Sequence, residues 1–128
     1  MEEKNNPLSP HLQIYKWQIS SLLSITHRIV GVINILAITM ICFWSISLLL
    51  GAESYQIINN FFNSFLGKFV AIGLCWTFSF HILNELRHLL WDLGYGFDLK
   101  VARITGVITL IGSFILAILF YLIGKNIF

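Results

Sequence analysis

Hydrophobic and polar positions divide this chain into three long apolar stretches separated by short polar segments. Residues 29–50 form an uncharged run of 22 residues, and residues 104–124 form one of 21. Each is long enough to cross about 30 Å of hydrocarbon as an α-helix. The middle uncharged run, residues 69–84, has only 16, so it spans only if the polar residues as far as Trp91 continue the same helix. The pattern predicts three transmembrane helices, at roughly residues 20–50, 62–92 and 101–125.

The segments between these stretches predict a single all-α unit. Residues 51–63 are expected to form a short connection on one side of the membrane, and residues 93–100 a loop broken by glycines on the other. No repeat or linker divides the chain, so we expect one membrane-anchor domain over residues 1–128. The composition agrees, since only 11% of the residues are charged, against about a quarter in soluble domains.

Basic residues predict the orientation of the helices. Six of the eight Lys and Arg residues lie in the N-terminal segment, the first turn or the second connection, and only Lys68 and Lys125 lie on the other side. This bias predicts that the N-terminus is inside. The net charge of +2 expresses the same bias and does not indicate a nucleic-acid partner. Two glutamates near the start, and no apolar run before about residue 19, argue against a signal peptide. We therefore expect the first helix to remain as an anchor.

The most unusual residue of the spanning segments is His81, near the middle of the second helix. An ionisable side chain in hydrocarbon costs about 2.5–3.5 kcal/mol on the mildest scale, so something specific usually holds it. A neutral imidazole among helices is a common axial ligand of haem iron. A packing histidine that bonds a neighbouring helix explains the residue equally well. Because the chain has no CxxCH motif, any haem would be non-covalent.

Two polar residues share one face at the start of the first helix. Ser24 and Arg28 are four residues apart. Arg28 can extend its charge to anionic headgroups, which is the simpler interpretation. A hydroxyl donor beside a fixed cation also suits a quinone carbonyl, where reduction develops negative charge on oxygen.

Small residues form a stripe along the third helix. They recur at spacings of three or four residues and are Gly106, Thr109, Ser113 and Ala117. Such stripes allow helix backbones to approach closely. We expect the stripe to contact the first or second helix and also a second membrane subunit.

Three segments closely resemble the cytochrome b subunit of succinate dehydrogenase, the larger haem-bearing membrane anchor of respiratory complex II. They are residues 8–15, LSPHLQIY; residues 24–31, SITHRIVG; and residues 81–94, HILNELRHLLWDLG. Their order and separation match the two signatures of that family, and the resemblance covers the whole chain.

The resemblance implies a role for five residues. His81 matches the axial ligand of haem iron, with the other axial histidine supplied by a second anchor subunit. His27 matches a residue near the haem propionates. Ser24 and Arg28 match residues of the ubiquinone site, and Trp17 matches an aromatic residue at its mouth.

One position departs from the family. A glycine usually stands four residues after the haem ligand, whereas this chain has Glu85. The carboxylate is expected to pair with Arg87, Arg28 or a cation of a partner, or to crowd the haem and lower its potential.

The resemblance implies a membrane anchor of succinate dehydrogenase that binds haem b with a partner subunit and passes electrons from succinate to ubiquinone. Its partners would be a second anchor subunit, an iron–sulfur subunit and a flavoprotein subunit that carries out the succinate chemistry. The chain itself has no Gly-rich dinucleotide loop and no cysteine pattern for iron–sulfur clusters.

Three alternatives remain open at this point. The first is the anchor of a fumarate reductase, and the second is a structural or assembly protein without haem. The third, half of a transporter with His81 as a proton relay, is disfavoured because no helix has a Gly/Pro interruption at its middle. The expected location is the bacterial inner membrane, or the mitochondrial inner membrane if an organelle encodes the chain.

Overall fold

A computed structural model describes residues 16–127, except for the side chains of residues 126 and 127. All regular structure in this part of the chain is helical. The four helices are α1 (Ile19–Leu50), α2 (Ala52–Asn63), α3 (Phe65–Asp92) and α4 (Leu99–Ile127). The motif at residues 8–15 lies outside the described residues.

Three of these helices confirm the predicted fold class. α1, α3 and α4 are each long and apolar enough to cross a membrane. The largest difference from the predicted bounds is at the start of α3, expected at residue 62 and observed at Phe65. α3 ends at Asp92, so the helix that holds His81 does continue through the polar residues.

The connection after α1 is itself a helix, which the sequence analysis did not predict. α2 has 12 residues, too few to span a membrane. Tyr55, Ile58 and Phe62 are partly covered, whereas Ile57 on another side is 69% exposed. α2 contacts both α1 and α3. The segment is therefore an amphipathic helix that packs beside the ends of the two spans.

A side-chain cap separates α2 from α3. Ser64 Oγ accepts a hydrogen bond from the backbone N–H of Gly67 at 3.1 Å. The Ser64 hydroxyl also donates to the carbonyl oxygen of Phe61 at 2.6 Å. A Cβ atom at residue 67 would overlap the backbone of Phe61 and Phe62. This close approach requires glycine and fixes the angle at which α2 meets α3.

The loop between α3 and α4 turns at two glycines. Gly94 and Gly96 have φ angles of 86° and 84°, a conformation that other residues rarely adopt. Trp91 Nε1 donates a hydrogen bond to the carbonyl oxygen of Gly96 at 3.2 Å. The predicted glycine-broken loop is therefore held against the last turn of α3.

The small-residue stripe of α4 packs within the chain. Gly106 is buried, and a Cβ there would lie 2.8 Å from Leu23 Cδ1 and 3.0 Å from Ile19 Cγ2, both on α1. Ser113 and Ala117 are 0% and 3% exposed. The expected contact with a neighbouring helix is confirmed. Because the same residues are already covered, the stripe is not a free surface for a second subunit.

α1 is the least covered of the spans. Only 6% of its most apolar window is buried, against 22% for each of α3 and α4. Its buried residues are Leu23, Val30 and Ser47, of which Leu23 and Val30, seven residues apart, share one side. Leu23 and Val30 form the apolar core with Phe80 of α3. Most of the other residues of α1 are exposed, and a minority, including His27, Gly31 and Trp44, are partly covered.

Candidate functional site

Two histidines from different helices stack on each other between α1 and α3. The rings of His27 and His81 have centroids 4.5 Å apart and planes inclined by only 8°. Gly31 lies one turn beyond His27, and a Cβ at this position would lie 3.8 Å from His81 Cε1. The absence of a larger side chain at Gly31 lets the imidazole of His81 lie close to α1.

The carboxylate of Glu85 faces both imidazoles. Its Oε1 lies 2.9 Å from His27 Nε2 and 3.8 Å from His81 Nε2. His27 Nε2 nevertheless makes no directed hydrogen bond with any described residue, so the short contact is an electrostatic one. Neither Arg87 nor Arg28, the two partners within the chain expected for Glu85, forms an ion pair with it among the described residues. The structure places Glu85 against His27, a contact that spacing along a single helix does not reveal.

The surroundings of His81 fit an axial haem ligand. Nδ1 is buried and has no hydrogen-bond partner among the described residues. The side chain as a whole is 33% exposed, which leaves the Nε2 side of the ring, next to Glu85, for a ligand from outside the chain. A neutral imidazole held this way is the donor that haem iron requires.

Thr77, one turn before His81, is buried, whereas His81 is partly exposed. Thr77 is 4% exposed, and its hydroxyl donates to the carbonyl oxygen of Leu74 at 2.9 Å. Gly73, by contrast, has nothing within 4 Å of an added Cβ. A planar group beside His81 would therefore meet Gly73 more readily than Thr77.

The three residues matched to a ubiquinone site lie on the open part of the chain. Ser24 and Arg28 are both exposed on α1, and no other helix among residues 16–127 covers that face. Trp17, just before α1, is 71% exposed. The structure brings His27, His81 and Glu85 together, and it leaves Ser24, Arg28 and Trp17 on an adjoining surface.

Arg87 is a polar residue whose place the sequence analysis missed. It is 5% exposed and points towards α4 rather than towards Glu85. Its Nε donates to Thr105 Oγ1 at 3.2 Å, and its Nη2 donates to the carbonyl oxygen of Ala102 at 3.0 Å. Its guanidinium carbon lies 4.0 Å from the centroid of the Trp91 ring. Its position in the helix was the signal that could have revealed this. Arg87 stands three residues after Asn84 and shares its side of α3, which is the covered side.

Two further polar side chains border the cluster. His88 lies 5.8 Å from the His27 ring and 5.1 Å from the Trp91 ring, measured between centroids. Asn84 is 0% exposed, and neither its amide nitrogen nor its oxygen has a hydrogen-bond partner among the described residues. Asn84 is thus a buried amide beside the cluster that the described residues leave unpaired.

Comparison with known proteins identifies the family of this chain. A family model described as the succinate dehydrogenase/fumarate reductase transmembrane subunit matches residues 2–120. The chain belongs to this family. It is accordingly a multi-pass membrane protein and a subunit of an oxidoreductase complex.

Individual relatives cover nearly the whole chain. The succinate dehydrogenase cytochrome b556 subunit of Rickettsia felis is 39% identical over 118 residues, covering 90% of each chain. The subunit of the same name from Paracoccus denitrificans is 33% identical over 115 residues, covering 90% of this chain and 88% of the relative. The cytochrome b560 subunit of Reclinomonas americana is 37% identical over 127 residues, covering 93% and 86%. The resemblance found in the sequence motifs is thereby confirmed.

Proposed function

We propose that this chain anchors a succinate dehydrogenase in the membrane, holds haem b together with a second anchor subunit, and helps form the ubiquinone-reduction site. The observation that carries the proposal is the placement of His81 within α3, stacked on His27 and partly open to a group outside the chain. The relatives described above are named cytochrome b subunits of succinate dehydrogenase, which supports both the haem and succinate as the electron source.

In this proposal His81 would hold the haem iron through Nε2, and a histidine of the second anchor subunit would share in holding it. When bound, the haem supplies one-electron storage beside the quinone site. His27 lies against His81, where it would face a haem propionate. Such contacts fix the orientation of the group and tune its potential.

The ubiquinone site would use the exposed face of α1. Ser24 would donate a hydrogen bond to a quinone carbonyl oxygen, and Arg28 would stabilise the negative charge that develops there on reduction. Trp17 would cover the mouth of the site. All three are exposed among the described residues, and another subunit would supply the facing wall of the site.

The same face supports the proposal of a second anchor subunit. Most of α1 is uncovered, and apolar side chains there suit lipid as well as protein. Ser24 and Arg28 on that face are costly in lipid, however, because a hydroxyl and a charge need polar partners. A neighbouring membrane subunit would supply them. An iron–sulfur subunit and a flavoprotein subunit would complete the complex.

The proposed orientation places the N-terminus inside, because six of eight basic residues lie on that side. Electrons would then enter from an iron–sulfur subunit bound near Arg28 and the loop after α3. The proposed membrane is the bacterial cytoplasmic membrane, since two of the relatives described above come from bacteria.

A spectrum of the purified complex tests the haem assignment. We expect His81→Ala to remove or greatly weaken the b-type pyridine haemochrome signal while the subunit still inserts and co-purifies with its partners. Some five-coordinate haem can survive on the partner's ligand. His88→Ala is the matched control, since it removes a histidine seven residues further along α3 and should retain low-spin haem. An unchanged low-spin spectrum in His81→Ala would rule out ligation by His81.

A further inference from the structure

We propose that α2 lies along the membrane surface with Ile57 and Phe61 inserted among lipid acyl chains, and that it thereby fixes the depth at which α3 begins in the membrane. Ile57 and Phe61 are 69% and 41% exposed. They stand four residues apart, so they share one side of the helix. The proposal depends on α2 and the neighbouring spans alone, so it stands or falls independently of the haem and quinone assignments.

The polar residues of α2 occupy a different side of the helix. With 3.6 residues per turn, they fall within about a third of its circumference. All of them are exposed, and they are Glu53, Gln56, Asn59, Asn60 and Asn63. The helix thus has one side packed on its neighbours, one exposed apolar side and one polar side. An amphipathic helix of this kind lies in the plane of the membrane interface, with its polar side towards water.

The flanking residues place α2 at the boundary of the hydrocarbon. Only Gly51 separates it from α1, and only Ser64 separates it from α3. A single residue spans at most about 3.6 Å, so α2 cannot lie far from the ends of the two spans. Leu50, which ends α1, is 71% exposed, and Phe65, which begins α3, is 90% exposed. Ile57 and Phe61 therefore continue an exposed apolar surface that the spans already present to lipid.

Lipid fits this side of α2 better than a protein partner does. Two side chains of this size expose at most a few hundred Å² together, well below the roughly 800 Å² per partner of a stable protein interface. Glu53 is the one charged residue of α2, so the helix offers no charged patch to a complementary protein. It also has no basic residue for anionic headgroups. Insertion would accordingly depend on apolar area and not on lipid charge.

The junction between α2 and α3 transmits the position of one helix to the other. Ser64 Oγ accepts from the backbone N–H of Gly67, and its hydroxyl donates to the carbonyl oxygen of Phe61. Gly67 packs so closely on the backbone of Phe61 and Phe62 that no Cβ would fit. Because backbone meets backbone here, α3 cannot slide along its axis without moving α2. A helix α2 that is held at the surface thus fixes the depth of α3.

Spin labelling of the purified complex in phosphatidylcholine vesicles tests the lipid contact. Nitroxides are attached to Ile57→Cys or Phe61→Cys on the apolar side, and to Gln56→Cys or Asn60→Cys on the polar side. The background variant lacks the chain's own two cysteines, and its complex serves as the blank. Collisions with O₂, which concentrates in hydrocarbon, are compared with collisions with a water-soluble Ni²⁺ chelate. We expect the ratio of O₂ to Ni²⁺ collisions to be several-fold higher on the apolar side.

Two results would overturn the lipid contact. Equal Ni²⁺ collision rates at all four positions would mean that α2 lies in water. Few collisions with either reagent at Ile57→Cys and Phe61→Cys would mean that a protein surface covers this side. Ile58→Cys, at a partly covered position of the same helix, provides the reference for that second result.

A second measurement tests whether α2 fixes the depth of α3. A nitroxide at Leu66→Cys, in the first turn of α3, reports that depth. We expect Ile57→Asp to draw α2 towards water and to raise Ni²⁺ collisions at this label several-fold, whereas Asn60→Asp on the polar side should not. Co-purification with the other subunits verifies assembly, and Ile57→Ser replaces Ile57→Asp if the latter does not assemble. An unchanged label at residue 66 in the assembled variant would show that α2 does not set the depth of α3.

Discussion

The guanidinium of Arg87 lies 4.0 Å from the centroid of the Trp91 ring, one turn further along the same helix. Its remaining contacts cross to α4, where Thr105 Oγ1 and the carbonyl oxygen of Ala102 accept hydrogen bonds. Arg87 therefore joins the end of α3 to the start of α4 and is held on both sides. A buried charge of this kind stabilises a structure only while all its partners remain.

Arg87→Lys should destabilise the complex although it keeps the charge. A lysine loses the planar fork that reaches two acceptors and stacks on an indole. Charge-assisted hydrogen bonds contribute about 1.5–3 kcal/mol each, so we expect a loss of about 1–3 kcal/mol in the free energy of unfolding. Thermal unfolding of the purified complex measures it. Arg103→Lys, at an exposed position of α4, is the control and should change little. Equal melting temperatures for the two variants would contradict the structural role.

Gly67→Ala should disturb the junction between α2 and α3. The added Cβ would overlap the backbone of Phe61 and Phe62, which cannot move aside as a flexible side chain can. Such overpacking typically costs about 1–3 kcal/mol. Gly124→Ala is the matched control, because nothing lies within 4 Å of a Cβ there and alanine favours a helix. Limited proteolysis across residues 51–64 should become faster in Gly67→Ala alone. Unchanged cleavage would mean that α2 does not need this close packing.

Glu85→Gly should raise the midpoint potential of the proposed haem. A carboxylate close to the iron ligand stabilises the oxidised, more positive iron, and its removal reverses that effect. Glu85 Oε1 lies 3.8 Å from His81 Nε2, so an iron bound to that nitrogen would be at most about 6 Å away. A unit charge at that distance, at an effective dielectric constant of 20–80, corresponds to a shift of roughly 30–120 mV. His27 lies 2.9 Å from this carboxylate. When its imidazole is protonated, the positive charge offsets that of the carboxylate, and the lower part of the range applies. Redox titration of the complex measures the shift, and Glu53→Gln on α2 is the control.

Ser24→Ala and Arg28→Leu should both depress ubiquinone reduction by the complex. Loss of one donor in a dry site costs roughly 10²–10³ in rate in oxyanion sites, and we expect less at this exposed face of α1. Electron transfer from succinate to an artificial acceptor that bypasses the membrane subunits should be normal. Ser45→Ala, further along the same helix, is the matched serine control.

Arg28→Lys adds a second test of the same site. If Arg28 only extends its charge to lipid headgroups, lysine should replace it without effect. If it binds the quinone oxygen through its planar fork, ubiquinone reduction should fall in Arg28→Lys as well. Normal rates in both Ser24→Ala and Arg28→Leu would place the quinone site elsewhere.

The three spanning helices were predictable from the sequence because their pattern is local. Long uncharged runs mark α1 and α4 without reference to the rest of the chain. α2 was missed because a helix of 12 residues is too short for a membrane signal, and its polar residues resemble those of a loop. The end of α3 was predicted correctly because the span needed the polar residues as far as Trp91.

The site was only partly predictable because its geometry depends on two helices. The position of His81 in a spanning helix and its likeness to a haem ligand followed from residue type and motif. The contact of His27 with Glu85 depends on how α1 and α3 are rotated against each other, which spacing within one helix does not give. The same reason explains why Arg87, next but one to Glu85 in the sequence, lies against α4 instead.

The open face of α1 has a consequence for how this chain changes over time. Substitutions in the interior of the chain can be compensated by neighbours that the same gene encodes, as with Gly106 against Leu23. In the proposed complex, substitutions on the open face, around Ser24 and Arg28, would have to fit a surface that another gene encodes. Variation along α1 should therefore track variation in a different subunit. Copies of this chain produced in excess of that subunit would keep a charged residue unmatched in the membrane, and we expect the cell to degrade them.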